Sequence, residues 1–158
     1  MFQTKTAQLQ RIISETLHRL NNETHDLSLL TKASPPNCHV NFELGIAEED
    51  TFTFLDKEEL ARLTEALGKE ETISVLDFFC AIRYQQIMQD GKAKSLKFDY
   101  VLLRFAFRRR TMELFLSHQR GIQHLPLGDL TTFLIKRINN ELTQNEIKPL
   151  ALKRMQTL

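Results

Sequence analysis

The chain lacks several features that would define a class of protein outright. Its 158 residues contain no Trp and two cysteines, Cys38 and Cys80, which do not form a CxxC pair. We therefore expect two small buried thiols in a reducing compartment rather than a zinc site. The five glycines are scattered and form neither GxGxxG nor GxxxxGK followed by Ser or Thr, so no nucleotide-binding loop is predicted.

Signals for a membrane or for secretion are missing from the sequence as well. No run of 18 apolar residues exists, so we expect no membrane span and no membrane partner. The first residues, MFQTKTAQLQRIISETL, lack the apolar core and small-residue cleavage site of a secretion signal. We therefore predict a cytoplasmic protein. The composition, 42% hydrophobic and 26% charged, is typical of one globular domain.

The spacing of chemically active residues gives little support to an enzyme. The five histidines show no HExxH or HxH pattern. His118 and His124, with Arg120 between them, form a candidate polar site that could act as an acid–base pair or as ligands. More often such histidines satisfy local hydrogen bonds. The acidic stretch 48–50 has no second set of ligands, so we predict no metal site and no cofactor.

Helical periodicity marks four segments. Apolar residues recur at helical spacing in 4–22 and in 127–143. The segment 57–67 follows Asp56, an N-cap residue, with Glu59 in the position of a capping box. The apolar residues of 73–90 spread over more than one stripe, which favours a central, largely buried helix.

Two stretches alternate between apolar and polar residues, as β-hairpins do. In 38–56, pairing Phe42 with Phe54 keeps the apolar faces in phase. In 97–118, a four-residue loop from Arg108 to Thr111 makes every inward pair apolar. The expected inward pairs are Phe107 with Met112, Phe105 with Leu114, and Leu103 with Leu116.

We predict an α+β fold with a single domain over 1–145. Two antiparallel β-hairpins (about 38–56 and 97–118) form one sheet, packed against four main helices (about 4–22, 57–67, 73–90 and 127–143). The tail 146–158 is either docked or flexible.

Charge is sorted along the chain although the net charge is only +1. The segment 43–71 contains ten acidic and three basic residues, whereas 92–120 contains eight basic and two acidic residues. In the second hairpin, Arg104 and Phe115 are expected to point outward near Tyr100. A basic strip interleaved with aromatic rings can bind phosphates and stack on the bases of single strands.

The order of the predicted elements over 52–120 resembles a winged helix. In that fold the second helix enters the DNA major groove and the hairpin contacts the phosphate backbone. The equivalent helix here, 73–90, is rich in Phe and Ile and has Arg83 as its one cation. The likeness is an analogy of element order and includes no diagnostic motif.

Three functions remain open from the sequence. The first is a non-enzymatic nucleic-acid-binding or nucleoprotein-complex accessory protein that binds DNA or RNA through the basic hairpin 104–120. The second is an assembly or adaptor subunit whose acidic (43–71) and basic (92–120) surfaces bind a protein partner or another copy. The third is an enzyme with a cryptic site at His118 or His124. The residues expected to bind nucleic acid are Arg104, Arg108, Arg109, Arg110, Arg120 and Lys97.

Overall fold

The computed structural model describes residues 2–32, 34–48, 51–67, 73–96, 98–108 and 111–151. Three α-helices and seven β-strands make up this part of the chain. In order they are α1 (Phe2–Leu20), β1 (Thr24–Asp26), β2 (Cys38–Glu48), β3 (Thr51–Phe54), α2 (Lys57–Leu67), β4 (Val75–Ile87), β5 (Ala93–Ser95), β6 (Asp99–Phe107), β7 (Met112–Arg120) and α3 (Leu127–Gln144). The fold is α+β, as predicted.

All seven strands belong to one antiparallel sheet with the order β1-β2-β4-β6-β7. The short strands β3 and β5 lie off this path and pair with β2 and β4. β1 and β3 share one side of β2, where they pair with different residues. β5 and β6 share one side of β4 in the same way. The sheet is therefore built on four long strands, β2, β4, β6 and β7.

One face of the sheet forms the hydrophobic core together with the helices. Alternate residues of each long strand point to this face, because side chains alternate along a strand. The core includes Phe42, Leu44, Phe78, Ile82, Leu103 and Phe105 from the strands, and Ile13, Leu17, Leu130, Leu134 and Ile138 from α1 and α3. Leu60 and Leu63 of α2 pack against the same cluster. The opposite face carries exposed residues such as Phe115.

The prediction of a helix over 73–90, and with it a count of four helices, was wrong. Val75–Ile87 is the long central strand β4. Its even positions from Leu76 to Tyr84 are buried, while Phe79 and Ala81 are apolar residues on the opposite face. Because these residues add apolar positions to the face opposite the core, the sequence does not show the clear period of two that identifies a half-buried strand. The analogy to a winged helix is therefore wrong as well, because the segment that would be its recognition helix is the strand β4.

The hairpin predicted at 38–56 is present, but its register was wrong. Phe54 lies opposite Gly45, not opposite Phe42. Phe42 is buried in the core, whereas Phe54 is 45% exposed on the other face. The long partner of β2 is β4, which runs from Ile46 opposite Phe78 to Cys38 opposite Gln86. The two hairpins therefore share one sheet with β4 between them.

The hairpin predicted at 97–118 has the expected register. The pairs Phe107–Met112, Phe105–Leu114 and Leu103–Leu116 are all present. The strands leave residues 108–111 as the connection, and the Arg108 amide donates to the Thr111 carbonyl at 2.8 Å. Near its end the hairpin has a register shift between Tyr100 and Val101, where β7 has one extra residue.

The ends of the helices follow their local signals. The Asp56 side chain accepts a hydrogen bond from the Glu59 amide at 2.8 Å, which caps α2 as predicted. The predicted bounds of α1 and α3 differ from the observed ones by at most two residues. After α3, the Asn139 side chain bonds both backbone groups of Leu150, at 2.7 and 3.0 Å. None of the described helices is long and apolar enough to cross a membrane.

Candidate binding surface on the open sheet face

The sheet face opposite the core, called the open face below, is formed by the residues of the long strands that alternate with the core residues. The register places its residues in rows that cross the sheet. One row is Gly45, Phe79, Leu102 and Ser117, and the next is Asp77, Arg104 and Phe115. The other members are Glu43, Ala47, Val75, Ala81, Arg83, Tyr100, Ala106, Glu113 and Arg120. Phe54 joins the first row because it pairs with Gly45.

Five aromatic residues of the open face and its rim form what we call the aromatic stripe: Phe54, Phe79, Phe98, Tyr100 and Phe115. The Phe79 and Tyr100 rings lie 5.3 Å apart between centroids. Phe98 contacts the other side of Tyr100 edge-on, at 5.0 Å. Phe98 is 45% exposed and Phe115 is 40% exposed. Phe98 therefore presents to solvent a ring that is already held by a ring–ring contact.

Arg104 lies in the middle of the open face and is fixed by Asp77 of the neighbouring strand. Its Nε atom is 2.8 Å from Oδ1 and a terminal nitrogen is 2.9 Å from Oδ2, which is a two-point contact. The hydrogen bond to Asp77 raises the pKa of Arg104. Phe115 is its partner across the strand pair on the other side. Arg104 therefore lies directly across the strand pair from an exposed aromatic residue.

Two other arginines of this face are also paired with carboxylates. Arg83 lies 3.0 Å from Glu43, and Arg108 lies 2.7 Å from Glu113. Arg120 is exposed and forms no ion pair with the described residues. Together with the Arg104–Asp77 pair, this part of the surface has four arginines and three carboxylates, which leaves one net positive charge. Exposed pairs of this kind contribute little to stability.

The six predicted nucleic-acid-binding residues thus have different outcomes. The structure brings Arg104, Arg108 and Arg120 to the open face or its edge, next to Tyr100 and Phe115. Lys97, Arg109 and Arg110 lie outside the described residues. Two further cations, Lys92 and Lys94, are exposed beside the β4–β5 turn, at the same end of the sheet as Arg83.

The two histidines of the candidate polar site lie on either side of a buried carboxylate–tyrosine pair. Asp99, 1% exposed, accepts hydrogen bonds from the Tyr84 hydroxyl at 2.5 Å and from the Gln123 amide at 2.8 Å. His118 Nε2 is 3.0 Å from the same carboxylate, and the His124 ring packs edge-on against Tyr84 at 4.9 Å. We call Tyr84, Asp99, His118 and the Gln123 amide the Asp99 cluster.

The hydrogen bonds of the Asp99 cluster serve a structural role. The Tyr84 hydroxyl also accepts from the Leu125 amide at 3.1 Å, so the cluster fixes the segment that leads into α3. Gly121 packs tightly against it, with a φ of +118°. Burial, followed by the hydrogen bond to Asp99, raises the pKa of Tyr84 and keeps its hydroxyl protonated. Because Asp99 lies between Phe98 and Tyr100, the cluster also holds two rings of the aromatic stripe in place.

The surroundings of His118 are open on one side. A groove of about 530 Å³ lies between residues 116–118 of β7 and the first residues of α3, Pro126–Asp129. Within the part of the chain that the structure describes, no three His, Cys, Asp or Glu side chains converge as metal ligands. His118, Gln123 and Asp129 line this open groove and are among its polar residues.

Sequence reasoning missed three residues that shape these surfaces. Asp77 and Phe79 belong to β4, and the helix prediction for that segment hid their position opposite Arg104 and Leu102. Asp99 was not predicted as a site residue, although an isolated Asp between Phe98 and Tyr100 at the start of an apolar strand is a signal for a buried carboxylate. Buried carboxylates require donors, and Tyr84, His118 and the Gln123 amide supply them here.

The architecture defines a single-sheet α+β protein with its helices packed on one face of the sheet and aromatic residues exposed on the other. No protein-family model matches the chain, and neither the curated proteins nor the solved structures contain a match. Any assignment of function therefore has to come from the surfaces themselves.

Proposed function

We propose that this protein binds single-stranded nucleic acid on the open face. The observation that carries the proposal is the exposure of Phe98 and Phe115, with the half-buried Tyr100 beside Phe98, on the same face as Arg104 and Arg120. Exposed aromatic rings offer stacking platforms for bases, and every base has a face that can stack. Single strands are the form of nucleic acid in which the bases are free to do so.

The charges around the aromatic stripe suit a polyanion at its two ends. Arg120, Lys92 and Lys94 lie at the end where β4 meets β5, and Arg108 marks the other end, at the β6–β7 turn. Phosphates would bind at these ends while bases occupy the centre. Arg104 keeps donors for a base or phosphate in addition to its two bonds to Asp77, because a guanidinium has five N–H groups.

The shape of the surface favours single strands over a duplex. Reading the major groove requires a helix or a narrow ribbon that fits inside it. The segment once expected to supply that helix is β4, in the centre of a sheet at least four strands wide. A broad face of this kind cannot enter the groove, whereas it can accept splayed bases.

The experiment is a fluorescence-anisotropy titration with labelled single-stranded RNA, single-stranded DNA and duplex DNA of equal length, at 50 and 300 mM salt. We expect binding to single strands that weakens with salt. Tyr100→Ala and Phe115→Ala should each lower the affinity about 5- to 150-fold, the effect of losing one base stack. Arg120→Gln should reduce the salt slope by about 0.7.

The control is Leu29→Ala, which removes a side chain that is 83% exposed on the short turn after β1, away from the stripe. This variant should bind like the parent. Absence of binding to every single strand at 50 mM salt would refute the proposal. So would equal losses for Leu29→Ala and Phe115→Ala.

Protein docking is the second candidate for the same surface, and one observation favours it. Arg83, Arg104 and Arg108 are each neutralised by a carboxylate of this chain, which lowers the attraction for phosphate. Exposed aromatic and Arg side chains are also common at protein interfaces. A null result in the titration would leave this candidate, which a pull-down with Phe115→Ala as the non-binding control would then test.

A further inference from the structure

The outer edge of β7 differs from every other edge of the sheet. Among the described residues β6 is its one strand neighbour, and no backbone hydrogen bond to another segment covers Met112–Arg120. β7 is nine residues long. A long free edge exposes a row of unpaired amide and carbonyl groups that attracts another strand.

The opposite edge of the sheet is covered by short strands and by one side chain. β1 and β3 cover the two ends of β2. Between them the Asn21 side chain bonds both backbone groups of Leu44, at 2.6 and 3.4 Å. The end of β4 that extends beyond β6 is covered by β5. Short edge strands and side-chain caps are the usual protection against edge-to-edge pairing, and β7 has neither.

Two of the residues that often protect an edge, Pro and Lys, are absent from the sequence of β7. Its centre, Glu113-Leu114-Phe115-Leu116-Ser117, contains no Pro, Gly or Lys. The extra residue of the bulge lies beyond His118, so it leaves the stretch 112–118 regular. A regular apolar edge strand of this kind needs a partner to avoid uncontrolled association.

We propose that β7 pairs antiparallel with β7 of a second copy of this chain, with the two-fold axis at Phe115. This register places Leu114 opposite Leu116 of the second copy, so the core row continues across the interface. On the open face, Phe115 meets its own counterpart, and Glu113 lies opposite Ser117. The two neighbouring registers would pair apolar residues with polar ones. A two-fold axis at Leu116 would set Leu114 opposite His118, and an axis at Leu114 would set Glu113 opposite Phe115.

The same register sets no like charges opposite each other over 112–118, the regular part of the strand. Met112 lies opposite His118 of the second copy, and Glu113 lies opposite Ser117. The edge is therefore complementary to itself over this stretch, as a two-fold interface requires.

Pairing at β7 would join the two sheets into one and the two open faces into one continuous surface. The Phe115 rings would meet at its centre, which brings both aromatic stripes side by side. This consequence adds to the proposed function but does not depend on it, because dimerisation is measured in the absence of nucleic acid.

The first test is the mass of the protein in solution, by analytical ultracentrifugation over a range of concentrations. We expect a monomer–dimer equilibrium. Ser117→Glu places like charges opposite Glu113 at two symmetric positions and should raise the dimer dissociation constant about 2- to 30-fold. The double variant Glu113→Lys with Ser117→Glu should restore it. Ser95→Glu, on an exposed short strand, is the matched control and should leave it unchanged.

The second test reports the register directly. Directly opposite residues of an antiparallel pair have Cα atoms about 4.5–5.5 Å apart, within the range of a disulfide. Phe115→Cys should therefore form a covalent dimer under mild oxidation. Ser117→Cys should not, because the two copies of that residue would be about 13 Å apart. Cys38 and Cys80 are buried and remain in both variants.

A monomeric mass at every concentration would overturn the proposal. Equal cross-linking of Phe115→Cys and Ser117→Cys would overturn it as well, since it would indicate random collision. Loss of dimer in Ser95→Glu to the same extent as in Ser117→Glu would point to a different interface.

Discussion

Replacing Tyr84 with Phe tests the central claim about the Asp99 cluster. The change removes one oxygen atom that makes two hydrogen bonds, one to the Asp99 carboxylate and one from the Leu125 amide. A hydrogen bond to a charged group contributes about 1.5–3 kcal/mol, and an amide left without a partner in the interior costs about 1–3 kcal/mol. The two effects share one atom, so we expect the free energy of unfolding to fall by about 2–5 kcal/mol.

The assay is urea unfolding followed by far-UV circular dichroism. The midpoint should fall for Tyr84→Phe while the slope m stays constant, because the fold and its buried area are unchanged. A double-mutant cycle with Asp99→Asn should show coupling above about 1 kcal/mol. A loss of less than about 1 kcal/mol for Tyr84→Phe, or additive effects in the cycle, would refute the idea that these residues act as one unit.

The same hydroxyl sets an expectation for alkaline pH. Its folded pKa is raised above the ordinary value of 10.0, mainly by burial. The unfolded chain therefore loses the Tyr84 proton first, and stability should fall as the pH rises above about 10. Tyr84→Phe should remove this part of the decline. An unchanged alkaline slope in the variant would contradict the assignment.

Two further predictions concern single side chains. Gly121→Ala should lower the free energy of unfolding by at least about 2 kcal/mol, because a Cβ there would lie 2.1 Å from an Asp99 oxygen at a φ of +118°; a urea midpoint near that of the parent would contradict it. Glu23→Gln should lower stability at neutral pH but flatten its acid dependence. The hydrogen bond from Arg137 lowers the pKa of Glu23, so its contribution is present above about 4.5 and lost as the pH falls below that value. Equal acid slopes for Glu23→Gln and the parent, in unfolding measured from pH 7 to 3, would refute this.

The sequence predicted those elements whose faces differ in polarity. The second hairpin alternates cleanly from Leu103 to Leu116, so both its existence and its register followed from the pattern. The cap at Asp56 was also predicted, because it is a local interaction between residues three positions apart. Such features depend on neighbours that are close in the sequence.

Features that depend on contacts between distant segments could not be predicted from the sequence pattern. β4 has apolar residues on both faces, including Phe79 and Ala81 on the open face, and its pattern therefore resembled that of a buried helix. With β4 assigned to a helix, Asp77 could not be recognised as the partner of Arg104. The Asp99 cluster draws on Tyr84, which the same error placed on a helix, and on a loop whose path no periodicity predicts.

The pairing of β2 with β4 has a consequence for how the chain is made. β6 and β7 are joined by a short turn and can pair as soon as both have left the ribosome, since hairpins form within microseconds. β2 is synthesised well before its long partner β4 and must wait for it, because α2 lies between them. During this interval its apolar side can contact only those described elements that precede β4, namely α1, β1, β3 and α2. We therefore expect nascent chains that end before residue 87 to depend on chaperones more than the finished protein does.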